Sequence, residues 1–190
     1  MSESESAVRV IDGAEVPAVG KYVIDKSHSV VGFVVKHMMV SKVRGSFKEF
    51  EGEINVAEDV ENSSVGVVIK LESVDTGEGQ RDDHLRSGDF FDIAKNPDMT
   101  YAGNKVVKKG DKWILEGQLS LNGITKDVPL TVEFGGAGTD PYGNNRIGLS
   151  AVTEINREDF GLTTNVVLEA GGILIGKEIK IEIDVEAIKQ

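Results

Sequence analysis

Residues Ile179–Glu186 read IKIEIDVE, an alternation of aliphatic and charged side chains at every step. Ile179, Ile181, Ile183 and Val185 fall on one side; Lys180, Glu182, Asp184 and Glu186 fall on the other. A period of two marks a β-strand with one buried face and one wet face. The same period recurs upstream at Val31, Phe33 and Val35, and at Val65, Val67, Ile69 and Leu71. It returns at Trp113, Leu115, Leu119 and Leu121, at Val128, Leu130, Val132 and Phe134, and at Ile147, Leu149, Ala151 and Ile155. Turn signals punctuate these runs: Lys109-Gly110-Asp111, Asn122-Gly123, Asp140–Asn145 and Gly171-Gly172. The pattern predicts about eight to ten strands with short connections, the mark of an antiparallel barrel or sandwich. Residues 20–190 read as one domain, preceded by a loose tail over 1–19. Residues 162–171 carry no legible pattern.

One segment breaks the strand rhythm. Gln80–Asp92, QRDDHLRSGDFFD, places acidic residues in a first helical turn and His84 and Arg86 near its end, which suits the helix dipole. Gly88 stands where a C-terminal cap belongs. A short helix near residues 79–87 is predicted, followed by the aromatics Phe90 and Phe91, which need a sheet surface or a barrel mouth to receive them.

Composition narrows the function classes. The 190 residues suffice for one β domain with a sizeable core. The net charge of −11 argues against nucleic acid as a partner and against docking on anionic lipid. There is no cysteine, so thiolate chemistry and disulfides are excluded. No stretch approaches the ~20 apolar residues of a membrane span. Met1–Ser6 (MSESES) does not read as a signal peptide, so a soluble, cytoplasmic protein without stable membrane insertion is expected.

The candidate chemistry is sparse. His28 and His37 are nine positions apart and would point to opposite faces of one strand, so no metal site is expected. Ser27 and His28 are neighbours, with Asp25 close by, and on a strand they too would face opposite ways. No strand–turn–helix nucleophile elbow exists. Arg157 and the carboxylates beside it, in Asn156–Gly161, read as a turn held by an ion pair with Phe160 as a plug. No catalytic residue, metal or cofactor is expected. The predicted inward face is aliphatic and aromatic, and a barrel of about eight strands is just wide enough to be filled by side chains or to hold one small ligand. From the residues alone both remain open.

An ordered set of short motifs points to a family. Asp25–Ser29, Phe33, His37, Gly45-Ser46-Phe47, Phe50 and Gly52 come first. Ser73–Thr76, Arg81-Asp82, His84-Leu85, Phe90-Phe91-Asp92 and Pro97 follow, then Gly117–Lys126 and Asn156–Gly161. In order and spacing the set resembles the YceI-like family of lipocalin-like, polyisoprenoid-binding proteins, over residues 20–188. The resemblance implies an extended, eight-stranded antiparallel barrel around a tunnel. It also implies a long-chain isoprenoid lipid (a polyprenyl or quinone-type tail) as ligand, for storage or transport. Strand parity then nominates Phe33, Val35, Val67, Ile69, Trp113, Leu119, Leu121, Leu130, Val132 and Ile181 for the lining, and His37, Phe90 and Phe91 for the mouth. Two other readings stand beside this one. An isomerase or hydrolase could act on an apolar substrate in the same barrel. Otherwise a solid-core stress-response module would bring Trp113 and Phe134 together at the axis. Val30, Val34, Met38 and Val40 share the face opposite Phe33 and offer a homodimer surface.

Overall fold

Alternating side chains build one long sheet that closes on itself. The computed structural model describes residues 7–169, 172 and 174–190. Its strands are β1 (Val8–Ile11), β2 (Ala14–Pro17), β3 (Gly20–Ile24), β4 (Val30–His37), β5 (Ser41–Phe47), β6 (Phe50–Val56), β7 (Ser64–Lys70) and β8 (Val74–Asp75). The α-helix α1 (Gly79–Arg86) is followed by β9 (Asp98–Lys109), β10 (Lys112–Leu121), β11 (Ile124–Asp127), β12 (Leu130–Thr139), β13 (Asn145–Asn156) and β14 (Ile175–Lys189). Eight of these form a closed antiparallel ring in the order β13-β12-β10-β9-β7-β6-β3-β14, and β14 pairs back onto β13. The predicted fold is therefore found.

The clear alternation of IKIEIDVE belongs to β14, the longest strand. One edge of β14 runs along β13 from Arg146↔Ile188 to Asn156↔Glu178. Its other edge is shared: Ala187–Lys189 pair with β3, and Ile175 to Asp184 pair with β4. Strands β3 and β4 thus act as one interrupted wall, bent at the 3-10 turn Lys26–His28. From β4 the sheet extends through β5 to β8, extending the barrel wall beside α1. Asn122-Gly123 closes its tight turn with left-handed backbone at both residues, φ 54° and 72°, as that dipeptide favours.

Three local expectations are corrected. Residues 8–17, assigned to a loose tail, form the β1–β2 hairpin, and Val16 is only 2% exposed. Residues 1–6 lie outside the described residues. Helix α1 matches its expected place, but Gly88 is not its cap. The helix stops at Ser87, whose backbone N–H and hydroxyl both donate to the His84 carbonyl. Met38 and Val40 do not continue the outer face of Val30 and Val34. They lie in the β4–β5 turn, where the backbone has already left the strand.

Candidate functional site

The barrel interior divides into a hollow body and a filled end. The hollow body is a cavity of about 210 Å³. Its wall is built by strand parity: Val65, Val67 and Ile69 from β7, Trp113, Leu115 and Leu119 from β10, Val132 and Phe134 from β12, Ile181, Ile183 and Val185 from β14. Hydrocarbon makes almost the whole surface; Ser63, Ser64, Ser150 and Thr153 are the hydroxyl-bearing aliphatics on it. Tyr101 also stands there, but its hydroxyl donates to the Val128 carbonyl at 2.8 Å, and burial pushes its pKa up to about 12. That phenol stays protonated and already spoken for. Val16 and Pro17 of the β1–β2 hairpin and Val60 complete the wall at the end remote from α1. The hairpin is its own two-stranded sheet. Arg9 fastens it, donating to the carbonyls of Ala57 at 2.5 Å, Glu58 at 2.6 Å and Pro17 at 3.2 Å.

At the α1 end the interior is packed. Phe33 and Phe47 lie 5.6 Å apart by ring centroid, and Phe47 and Phe91 lie 5.9 Å apart, both tilted. Leu71, Val74, Leu121, Phe160 and Leu162 fill the same cluster. Gly45 makes room for it, because a Cβ there would stand 2.3 Å from the Phe33 ring. Arg157 is 4% exposed and donates to the carbonyls of Leu162, Thr164, Ile175 and Gly176. Among the described residues no carboxylate holds it, contrary to the ion-pair reading of this turn. Burial lowers its pKa from the ordinary arginine value, with Glu158 opposing. Phe160 is the plug expected of it.

Of the thirteen nominated residues, Val67, Ile69, Trp113, Leu119, Leu130, Val132 and Ile181 stand on the cavity wall. Phe33, Phe91 and Leu121 belong to the packed end instead. Val35 and His37 lie beyond them, towards the β4–β5 turn, paired with Ile179 and Ile175. Phe90 turns outwards and sets its ring edge-on to His84, with centroids 5.1 Å apart. Trp113 and Phe134 both face the cavity and do not close it. Strand β9 supplies Met99, Tyr101 and Val106, none of which alternation nominated. Its register slips between Lys105 and Gly103, so the inward parity changes from odd to even along the strand. Asn104, the skipped residue, was the available signal, sitting in an otherwise broken pattern, AGNKVV.

The polar cluster outside the barrel also differs from expectation. Asp25, Ser27 and His28 do converge, because they lie on a 3-10 turn and strand parity does not apply. Ser27 Oγ donates to Asp25 Oδ1 at 2.6 Å, and His28 Nδ1 lies 2.9 Å from Asp25 Oδ2. Ser27 Oγ and Asp25 meet the same imidazole nitrogen, the hydroxyl at 3.1 Å. A hydrolytic triad needs them on opposite nitrogens. Asp25, His28 and Glu186 also lie close enough to share a cation. Arg146 takes that role: its Nη1 donates to Asp25 at 2.7 Å and Glu186 at 2.8 Å, and its Nε donates to Asp140 at 2.7 Å. Hydrogen bonds from Ser27, Arg146 and His28, in that order, hold the Asp25 carboxyl well below the usual range.

The YceI-like domain model matches residues 22–187. The chain belongs to the YceI-like family. It is 37% identical to protein YceI of Salmonella newport over 173 residues, covering 90% of this chain and 87% of that one. The YceI protein of Campylobacter jejuni superposes with a TM-score of 0.67 at 34% identity, over 87% of this chain and 96% of its own. A polyisoprenoid-binding domain from Saccharophagus degradans superposes with a TM-score of 0.65 at 18% identity, over 91% and 100% of the two chains. Set on this YceI-like barrel, the motif residues are mostly joints of the packed end. Asn96 Nδ2 donates to Asn122 Oδ1 at 3.1 Å, and Asn122 Nδ2 donates to the Phe160 carbonyl at 3.0 Å. The β1–β2 hairpin precedes the family match, yet it forms part of the cavity wall.

Proposed function

We propose that the barrel holds a long-chain isoprenoid lipid, a polyprenyl or quinone-type tail, for storage or transport. The apolar cavity wall carries this reading. A hydrocarbon tail needs few polar partners there, and each buried methylene contributes about 0.8 kcal/mol. The Saccharophagus degradans neighbour, described as a polyisoprenoid-binding domain, supports the same ligand class. At about 210 Å³ the cavity lies below the ~300–1,000 Å³ of ordinary ligand pockets, so in this shape it takes only a short part of a tail. A longer tail enters as the wall gives way at the β1–β2 hairpin, which lies outside the barrel ladder. The reading requires no catalysis.

The test is direct uptake. The full chain is titrated with a polyprenyl alcohol and with a quinone of the same tail, beside Ala151→Phe, which puts a ring into the cavity. Saturable uptake by the native chain that the variant loses supports the proposal. Equal uptake by both proteins places the lipid elsewhere and overturns it.

A further inference from the structure

The tip of the β4–β5 hairpin is built against ordinary turn chemistry. Met38 and Met39 both adopt left-handed backbone, φ 52° and 61°. Asn and Gly are the usual residues there, and long side chains in that region mark a position held for a purpose other than folding ease. Met38, Met39 and Val40 are 45%, 67% and 85% exposed. Val166 and Val167 join them at 55% and 80% exposed. The two segments are tied together: Met38 N–H donates to the Leu174 carbonyl at 2.8 Å, and Leu174 N–H donates to the Val166 carbonyl at 3.0 Å. Other exposed large apolar side chains, such as Val10, Tyr142 and Val152, belong to separate elements.

Charge beside this tip runs against the charge of the whole chain. Between Asp25 and Glu49 lie Lys26, Lys36, Lys42, Arg44 and Lys48 and no acidic residue, in a protein of net charge −11. Lys36 and Lys42 stand directly opposite across the β4–β5 ladder, a like-charge pair that destabilises a hairpin unless an anion attends it. Neither closes an ion pair among the described residues. Glu182, bonded to Lys180 at 2.9 Å and approached by Arg44 at 4.0 Å, also feels the charge of Lys42. Glu169 on the adjoining loop and Glu178, exposed on β14 beside the Lys36 end of β4, are acidic residues that oppose the pattern.

We infer that this end of the barrel docks peripherally on anionic bilayers, with Met38, Met39 and Val40 entering the interface and Lys36 and Lys42 meeting lipid headgroups. An apolar edge backed by lysines is the arrangement an interfacial anchor uses. The whole-chain acidity, which argued against lipid docking, averages over this local reversal of sign. The inference does not rest on what the cavity holds, because Met38, Met39 and Val40 lie outside the cavity wall.

The test is flotation of the full chain with mixed phosphatidylcholine–phosphatidylglycerol vesicles and with pure phosphatidylcholine vesicles. The native chain floats with the anionic vesicles at low salt, stays behind with the neutral ones, and is released as salt rises. The double variant Lys36→Gln, Lys42→Gln lowers partitioning by about thirtyfold. Met39→Asp abolishes it. Tyr142→Asp, in the exposed loop between β12 and β13, leaves it unchanged. All these positions are exposed, so thermal melts should match the native chain. A native chain that ignores anionic vesicles at low salt overturns the inference, as do tip variants that float like the native chain. A dimer in gel filtration that Met39→Asp splits, with no vesicle binding, makes the tip a self-association face and also overturns it.

Discussion

The two halves of this barrel follow one rule of strand parity and reach opposite results. In the body, Val67, Leu119, Ala151 and Ile183 line an open cavity. At the α1 end, Phe33, Phe47 and Phe91 stack, and Leu71 and Val74 are fully buried among them. Covering elements make the difference. The body carries Tyr101, Trp113 and Phe134 on its wall and still keeps an open centre, whereas at the other end three phenylalanines in ring contact, α1 and the 3-10 turn Arg157–Phe160 fill what the ring leaves open. Stability is therefore concentrated at one end, and the other end is free to hold something that is not protein.

Matched deletions should separate the two regions. Leu71→Ala removes a side chain with no exposure and contacts on all sides, so a loss of about 4–5 kcal/mol is expected from equilibrium unfolding. Leu149→Ala, on the cavity wall, removes contacts that are already missing on one side, and about 2 kcal/mol is expected. Equal losses would break the contrast. Filling should act the other way. Ala151→Phe should leave the melting temperature within a few degrees and reduce uptake of a polyprenyl alcohol by about tenfold or more; a large drop in stability would mean that the body is as tightly packed as the plug.

Arg9→Ala sharpens the contrast further. It removes three hydrogen bonds from the hairpin clamp and should speed lipid exchange several-fold, by stopped-flow transfer, with little change in the midpoint of unfolding. Unchanged exchange would mean that the lipid passes elsewhere. The smallest effect concerns acid. Hydrogen bonds from Asn144 and Arg146 hold the Asp140 carboxyl low, as those of Ser27, Arg146 and His28 hold Asp25. Lowered carboxyl pKa values contribute stability at pH above the ordinary aspartate range, and it is lost as pH falls through and below that range. Arg146→Gln should therefore cost most stability at neutral and alkaline pH, where these carboxylates are ionised, and move the acid-unfolding midpoint to higher pH. A midpoint that stays put would show that this cluster does not bear on the fold.

Much of the fold was legible because one face of each long strand is wet. Ile179–Glu186 announces β14 without ambiguity, and Gln80–Arg86 announces α1. The β1–β2 hairpin was hidden because Val8–Ile11 and Ala14–Pro17 are short, and Val16 owes its burial to a distant strand end. Strand β9 was hidden by its bulge at Asn104, which shifts the inward set by one residue. The site was half legible. Parity places Val67, Leu119 and Ile181 correctly on the inner face, but it does not report depth along the barrel. Phe33 and Leu121 share that inward direction and still end in the plug. The family motifs gave no help with depth, since Asn122, Arg157 and Phe160 join the packed end. Asp25, Ser27 and His28 were misjudged because a 3-10 turn replaces the strand that parity assumed.

The decisive measurement is mass spectrometry of an organic-solvent extract of the protein purified from its native host, together with the intact native mass. A stoichiometric isoprenoid, seen both as bound mass and in the extract, is the predicted result and would give the tail length and head group. An empty chain that also takes up no added polyprenyl lipid would contradict the proposal and leave the cavity a packing defect of the barrel.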